Sequence, residues 1–218
     1  MEQRRPPEYT LEVFADPTCV KDIIKGMSFV STTSLSPILH TIFFHRYFTP
    51  ISPLTRDLLD LTLPAIDDVD LETLIDQRAT ALVRAIDTSS YVPSSHNRTG
   101  SYGRSQSGRG QLAVQFFEKT RRRKSYFGFG KQDEEVCWET WILDVTLATP
   151  RTDSDVYKVR RAMENSLRKC ALKVVNIVNR EKDHIPPILT TDSNFPVQIL
   201  VNPKTQEGWG QRMGIGIF

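Results

Sequence analysis

Aromatic and basic side chains are concentrated in one stretch, residues 121–141, with the sequence RRRKSYFGFGKQDEEVCWETW. Basic residues beside aromatic rings can bind nucleic acid, through phosphate contacts and base stacking. The same rings can anchor another protein, because a loop in water gains nothing from exposed Phe unless something covers it. Acidic residues 133–135 largely cancel the local positive charge, which favours a protein partner over nucleic acid. Two further interpretations of this stretch stay open: a loop that folds back on its own domain, and a solvated flank of a hairpin. The candidate partner-binding residues are Tyr126, Phe127, Gly128 and Phe129.

Residue types that support catalysis or metal binding are present, but not in the spacing such sites need. His40 and His45 are five residues apart, so they do not share a helix face as metal ligands at i and i+4 would, and we expect surface or rim histidines. No GxSxG nucleophile turn and no GK[ST] phosphate loop occurs. The acidic group Asp67, Asp68, Asp70 and Glu72 is explained by the N-terminus of a helix. We therefore expect no catalytic residue, no metal and no cofactor.

Composition places the chain among ordinary globular proteins. It has 218 residues and a net charge of +2, too small to favour nucleic acid or a membrane surface for the whole protein. Three cysteines far apart, without a CxxC pair, predict a reducing compartment rather than a disulfide framework. We expect no signal peptide and no spanning helix, since no apolar run approaches about 18 residues.

Two strand patterns flank the aromatic stretch and predict how it is held. Gln111–Glu118 and Trp138–Ala148 read as strands, joined by a projecting connection that we call the finger, residues 119–137. Trp138 and Trp141 are three apart on one strand. Their side chains should therefore point to nearly opposite sides, with one anchoring the finger in the core.

The remaining patterns predict an α+β sandwich in which helices pack on one face of a mainly antiparallel sheet. The helix after the finger should be central, because its apolar stripe is too long for one neighbour to cover. The predicted elements are a strand Tyr9–Ala15, a helix from Asp16-Pro17, a helix Ile38–Phe48, a strand within Tyr47–Pro64, a helix Leu71–Ile86 capped by Asp70, a flexible loop 88–110, a helix Ser154–Glu181 capped by Thr152 or Asp153, and a strand Val197–Val201.

Residues 27–37 interrupt the first helix. Without them, the apolar positions before and after would continue one amphipathic helix of about 20 residues. Their Ser/Thr run and Pro37 disfavour helix. We interpret them as an insertion, for which a genuine loop and an error in the gene model are both open explanations.

Four segments together resemble the autophagy-related protein 101 family, a HORMA-domain subunit of the autophagy-initiation kinase complex. They are LHTIFFHR from Leu39, KSYFGF from Lys124, WETW from Trp138, and KVVNIVNREKDHIPP from Lys173. The resemblance spans about Tyr9 to Val201. It implies one HORMA-like domain over residues 1–218: a three-stranded antiparallel sheet backed by three helices, with a β-hairpin finger and a C-terminal strand segment.

The resemblance also implies a function without catalysis. Members pair with the HORMA domain of autophagy-related protein 13, stabilise it, and recruit downstream autophagy factors through the finger, in the cytoplasm at the preautophagosomal structure. The family places a Trp and a Phe, separated by one residue, on the finger. This chain has Phe127 where the Trp is expected, then Gly128 and Phe129. Phe keeps the apolar anchor but loses the indole N–H.

Two other interpretations remain. One is a nucleic-acid-binding module using Arg121–Lys124 and the Gly/Arg-rich loop around Arg98–Arg109. The other is a HORMA adaptor of the checkpoint or chromosome-axis kind, against which the finger argues.

Overall fold

The part of the chain that the structure describes contains six strands and three helices. The strands form where apolar and polar residues alternate, and the helices where apolar residues recur every three or four positions. The structure is a computed structural model that describes residues 5–15, 35–90, 108–120, 134–148, 150, 152–188 and 194–203. In chain order the elements are β1 (Glu8–Ala15), α1 (Ser36–Arg46), β2 (Pro53–Leu58), β3 (Leu61–Ile66), α2 (Val69–Ser90), β4 (Gly108–Thr120), β5 (Glu134–Leu147), α3 (Asp153–Arg180) and β6 (Val197–Val201).

The main sheet has four strands in the order β1-β5-β4-β6, so the prediction of three antiparallel strands was wrong. β4 is antiparallel to β5 and β6, whereas β1 lies parallel to β5 at the edge. Parallel neighbours need a long crossover connection, and the chain between β1 and β5 supplies it. Period-two alternation reveals a strand but neither its neighbour nor its direction, which is why the sequence did not predict this arrangement.

A second, two-stranded sheet replaces the single strand predicted within residues 47–64. β2 and β3 pair antiparallel and are joined by a tight turn, with Leu58 opposite Leu61. Leu59 at this turn has φ 57°, a left-handed conformation that is unusual for a branched residue. It is partly buried and packs against the core, and this packing holds the turn.

α1 is the most enclosed helix. Every residue from Ser36 to Phe43 is buried, as is Arg46, and the helix contacts β3, α2 and α3. The prediction that the helix after the finger is central was therefore wrong. α1 begins at Ser36, inside residues 27–37, which we interpreted as an insertion. Pro37 lies in the first turn of the helix. A proline is tolerated there because the N–H groups of the first turn have no partner within the helix. Residues 16–34, with the predicted start at Asp16-Pro17, lie outside the described residues.

α2 crosses the core-facing side of β4 at close range. A Cβ on Gly110 would lie 2.7 Å from Leu82 Cδ1 and 2.8 Å from Ile86 Cγ1, so any larger residue at this position would force these side chains to shift. The helix extends to Ser90 and β4 begins at Gly108. Both ends of the predicted loop 88–110 therefore belong to regular elements, and residues 91–107 lie outside the described part.

α3 buries one stripe and leaves its opposite face in solvent. Thr152 caps it by accepting a hydrogen bond from the Asp155 backbone N–H. The buried stripe consists of Met163, Leu167, Cys170, Val174 and Val178.

The same helix covers the outer edge of β1. Ser166 Oγ accepts from the Phe14 N–H and donates to the Glu12 carbonyl, and Lys173 Nζ donates to the Thr10 carbonyl. These bonds occupy backbone groups that an exposed edge strand would offer to another chain.

Candidate functional site

The β4–β5 hairpin carries the finger. Its ladder continues to the pair Thr120 and Glu134, so residues 119–120 and 134–137 of the predicted finger are strand residues. The candidate site residues Tyr126, Phe127, Gly128 and Phe129 lie outside the described residues, as do Arg121–Lys124. What the structure describes is the finger root, which we define as residues 116–120 and 134–139.

A β-bulge interrupts the ladder at the root. Phe116 pairs with Glu139 and Phe117 with Cys137, which leaves Trp138 as the extra residue of β5. Trp138 and Trp141 are both buried, 6% and 0% exposed, and both reach the core side of the sheet. The prediction that they point to opposite sides was wrong, because an extra residue shifts the alternation of a strand by one position.

Aromatic rings enclose Trp138. Its ring centroid lies 5.5 Å from that of Phe116, 5.8 Å from the imidazole of His184 and 5.2 Å from Phe195. Such pairs contribute about 0.5–1.5 kcal/mol each beyond the area they bury. The expectation that a tryptophan anchors the base of the finger in the core is confirmed for Trp138.

Beside these rings Arg46 and Glu139 form a buried ion pair, and the partly buried His184 contacts the same carboxylate. We call these three residues the buried charged cluster, after the ion pair at its centre. Arg46 Nε donates to Glu139 Oε1 at 2.8 Å and Arg46 NH2 donates to Oε2 at 2.8 Å. Trp141 Nε1 donates to Oε1 at 2.5 Å, and His184 Nε2 lies 2.6 Å from Oε2. The side chain of Glu139 is 0% exposed and that of Arg46 is 2% exposed.

The sequence did not predict this cluster. One signal was available: on β5, Glu139 shares its alternation with Trp141, Leu143 and Val145, all of which are buried. A carboxylate in an apolar row needs a buried cation. The sequence did not indicate which cation pairs with Glu139, because Arg46 lies 93 residues away along the chain.

The burial and contacts of Glu139 do not suit it for acid–base chemistry. Both oxygens of Glu139 already accept hydrogen bonds from side chains, and the group is buried. A general base must reach the proton of a substrate, and this carboxylate has no exposed surface through which to do so.

The histidines on α1 differ from expectation. His40 is 0% exposed, so its prediction as a surface or rim residue was wrong, whereas His45 is partly buried. Burial, reinforced by the positive charge of Arg56, lowers the pKa of His40 to about 4. No group of His, Cys, Asp or Glu among the described residues could hold a metal ion.

The acidic group lies at the start of α2, as its helix-terminus explanation predicted, and one member caps the helix. The capping residue is Asp68 rather than Asp70: its Oδ1 accepts from the backbone N–H groups of Asp70 and Leu71, each at 3.0 Å. Glu72 forms an ion pair with Arg56 at 2.7 Å. The carboxylates of Asp68 and Glu72 are therefore engaged by the fold itself.

The two described cysteines, Cys137 and Cys170, both contact backbone carbonyl oxygens. Burial raises the pKa of the Cys170 thiol to about 11, and its Sγ donates to the Glu12 carbonyl at 3.2 Å. Cys137 Sγ lies 3.5 Å from the Glu139 carbonyl oxygen. Neither is in a disulfide.

The outer face of α3 combines exposed apolar side chains with cations. Leu172 is 60% exposed and Tyr157 is 67% exposed. The exposed cations on this helix are Lys158, Arg160, Arg161, Arg168, Lys169, Lys173 and Arg180. A groove of about 460 Å³ beside Leu172 is lined also by Tyr9, Ile177 and Arg180.

A larger groove of about 1250 Å³ runs between α3, β1 and the end of the β4–β5 ladder opposite the finger root. Its lining mixes Lys169 and Arg109 with Glu12 and Asp144, so it offers no single charge to a ligand. None of the described helices is long and apolar enough to cross a membrane.

Comparison with known proteins assigns the family. The family model described as autophagy-related protein 101 matches residues 12–192. The chain is 31% identical over 174 residues to autophagy-related protein 101 of Schizosaccharomyces pombe, covering 79% of this chain and 80% of that protein. It is 22% identical over 206 residues to the protein of the same name from Arabidopsis thaliana, covering 85% and 87%. The chain therefore belongs to the autophagy-related protein 101 family.

Proposed function

We propose that this protein is a non-enzymatic adaptor of the autophagy-initiation complex. It pairs with the HORMA domain of autophagy-related protein 13, stabilises that domain, and recruits downstream factors through the aromatic residues of the finger. Membership of the autophagy-related protein 101 family supports an autophagy role, and the family name describes no reaction. We place the protein in the cytoplasm, at the preautophagosomal structure.

One observation carries the proposal: a long two-stranded ladder, anchored by Trp138 and the buried charged cluster, leads into a segment with three aromatic residues. A rigidly anchored support reduces the entropy that its end loses on binding. Phe127 and Phe129 are the anchors that we assign to the recruited factor.

The test of recruitment is Phe127→Ala combined with Phe129→Ala. We expect normal thermal unfolding and normal pairing with the purified HORMA domain of autophagy-related protein 13, but at least tenfold weaker capture of autophagy factors from starved cells. The matched control is Lys131→Ala with Gln132→Ala, which truncates the same segment without touching an aromatic ring. Loss of folding or of pairing in the Phe variant would make the finger a structural element instead.

We assign the pairing surface to the outer face of α3. Leu172 is an exposed apolar side chain between cations, and Val175, 37% exposed, lies one turn further along the helix. Exposed apolar side chains grouped on one face are typical of protein interfaces.

Leu172→Asp tests this surface. The change places a charge where an apolar contact is expected, so pairing with the HORMA domain should weaken by tenfold or more in a titration, while the isolated chain unfolds at the same temperature. Gln77→Asp, which adds the same charge at an exposed position of α2, is the matched control. Equal pairing by both variants would move the interface away from α3.

A further inference from the structure

We propose that the buried charged cluster is a positioning device for the finger: it fixes the bulge at Trp138 and so sets the direction in which the β4–β5 hairpin leaves the domain. The cluster joins the last residue of α1, the root of β5 and the segment after α3. This inference rests on the proposed function only where it assigns a role to the finger. The geometry of the root does not depend on the proposed function.

The bulge needs such a device. It leaves Trp138 without a partner across the ladder and increases the local twist of the strand. A shift of one residue would move every side chain of the root to the other face of the sheet. The direction in which the root leaves the sheet therefore depends on which β5 residue is held on the core side.

Glu139 is the residue that is held. Its two oxygens interact with the Arg46 guanidinium, the Trp141 indole N–H and the His184 imidazole, at 2.5 to 3.0 Å. Arg46 Nε and NH2 bind both oxygens in a bidentate arrangement, which accepts only one relative orientation of the two groups. Arg46 NH2 also lies 3.5 Å from the Glu181 carbonyl oxygen, which extends the connection to the end of α3.

A slip of register would carry a large penalty. Arg46 is 2% exposed, so moving Glu139 away would leave a guanidinium charge buried without its partner. Trp138 would also lose its ring contacts with His184 and Phe195. Both penalties act on the same residue pair, 138 and 139, and so select one register.

Stability alone does not explain the charges. A buried ion pair is commonly no more stabilising than apolar side chains of similar volume. What the charged groups add is a directional constraint, because apolar packing tolerates rearrangement whereas a bidentate pair does not.

The experiment is amide hydrogen exchange on the full-length chain carrying Glu139→Gln, which keeps the size of the side chain and removes its charge. We expect the root amides of Phe117–Lys119 and Val136–Cys137 to exchange at least tenfold faster. The opposite end of the same ladder, Leu112–Val114 with Leu143–Val145, should change by less than twofold. Asp144→Asn is the matched control: it makes the same chemical change on the same strand, where Asp144 accepts a hydrogen bond from the Gln111 side chain, and should leave the root unchanged.

Equal acceleration at both ends would show that the cluster serves global stability only, and no acceleration would show that it does not hold the root; either result overturns the proposal. If Glu139→Gln does not fold, His184→Gln removes one contact at a site 20% exposed and should accelerate the root amides at least threefold, with the opposite end again as reference.

Capture of autophagy factors separates the two proposals. In Glu139→Gln we expect capture to fall at least tenfold while pairing through α3 persists. Faster root exchange with unchanged capture would support the positioning device and contradict recruitment by the finger. Lost capture without faster root exchange would overturn the positioning device and leave the finger's role intact.

Discussion

Helix α1 buries polar side chains at both ends, but under opposite conditions. At its last residue, Arg46 meets a carboxylate with bidentate geometry. In its first turns, Ser36 and His40 are 0% exposed, yet Ser36 Oγ and both His40 ring nitrogens have no hydrogen-bond partner among the described residues. Ser36 and His40 are four residues apart and share one face of the helix.

The comparison shows that burial by itself does not determine what a polar residue contributes. A buried charge with a complete set of partners constrains geometry and becomes costly only when one partner is removed. A buried polar group without a partner carries its desolvation cost in the folded state. Removing side chains should therefore have opposite effects at the two ends of α1.

The largest effect is expected from Glu139→Leu. It leaves the Arg46 guanidinium buried and unpaired, which should lower the free energy of unfolding by about 3–5 kcal/mol. Urea unfolding followed by tryptophan fluorescence measures it. A decrease in the free energy of unfolding below about 1 kcal/mol would mean that water hydrates the Arg46 guanidinium in the variant. The two ends of α1 would then not differ in the way argued above.

Adding Arg46→Met to Glu139→Leu should recover part of that loss. The double variant removes the orphaned charge, so it should be more stable than Glu139→Leu alone by about 1–3 kcal/mol, although the Trp141 N–H stays without its acceptor. The full double-mutant cycle measures the coupling between the two side chains. Additive losses would show that the pair is not coupled.

The pH dependence of stability tests His40. Burial lowers its pKa from 6.5 to about 4, and Arg56 acts in the same direction, while Glu72 and Asp68 oppose it. The unfolded chain therefore takes up a proton first, so stability is complete above pH 6.5 and is lost as pH falls from 6.5 toward 4. We expect a loss of about 2–3 kcal/mol from this group across that range. Urea unfolding at pH 7 and pH 5 should show a smaller difference in His40→Leu than in the unmodified chain.

The smallest effect is expected from Ser36→Ala. It removes a buried hydroxyl without a partner and leaves a residue with higher helix propensity, so stability should stay equal or rise by up to about 1 kcal/mol. Thermal unfolding measures the change. Thr41→Ala, on the same helix, is the control, because the Thr41 hydroxyl does have a partner, the Pro37 carbonyl at 2.8 Å. A loss from Ser36→Ala equal to that from Thr41→Ala would mean that Ser36 is hydrogen-bonded in solution.

The sequence predicted the elements of the candidate site but not its geometry. Both strands of the hairpin were predicted, each a few residues shorter than observed, because the alternation continues into charged residues that look like loop. The aromatic residues Phe127 and Phe129 remain a prediction. Arg46, Glu139 and His184 were missed, since nothing in local spacing links three residues from three separate segments.

The sequence alone determined part of the local structure of this protein. The strand Val197–Val201 has its predicted bounds, and α3 runs over Asp153–Arg180, close to its prediction, with Thr152 as its cap. These features depend on periodicity and capping, which act between residues within a few positions of each other. Tertiary structure alone decided the parallel placement of β1, the bulge at Trp138, the burial of His40 and the assembly of the charged cluster. Each of these depends on which distant segments of the chain come into contact, and a local sequence pattern does not specify those contacts.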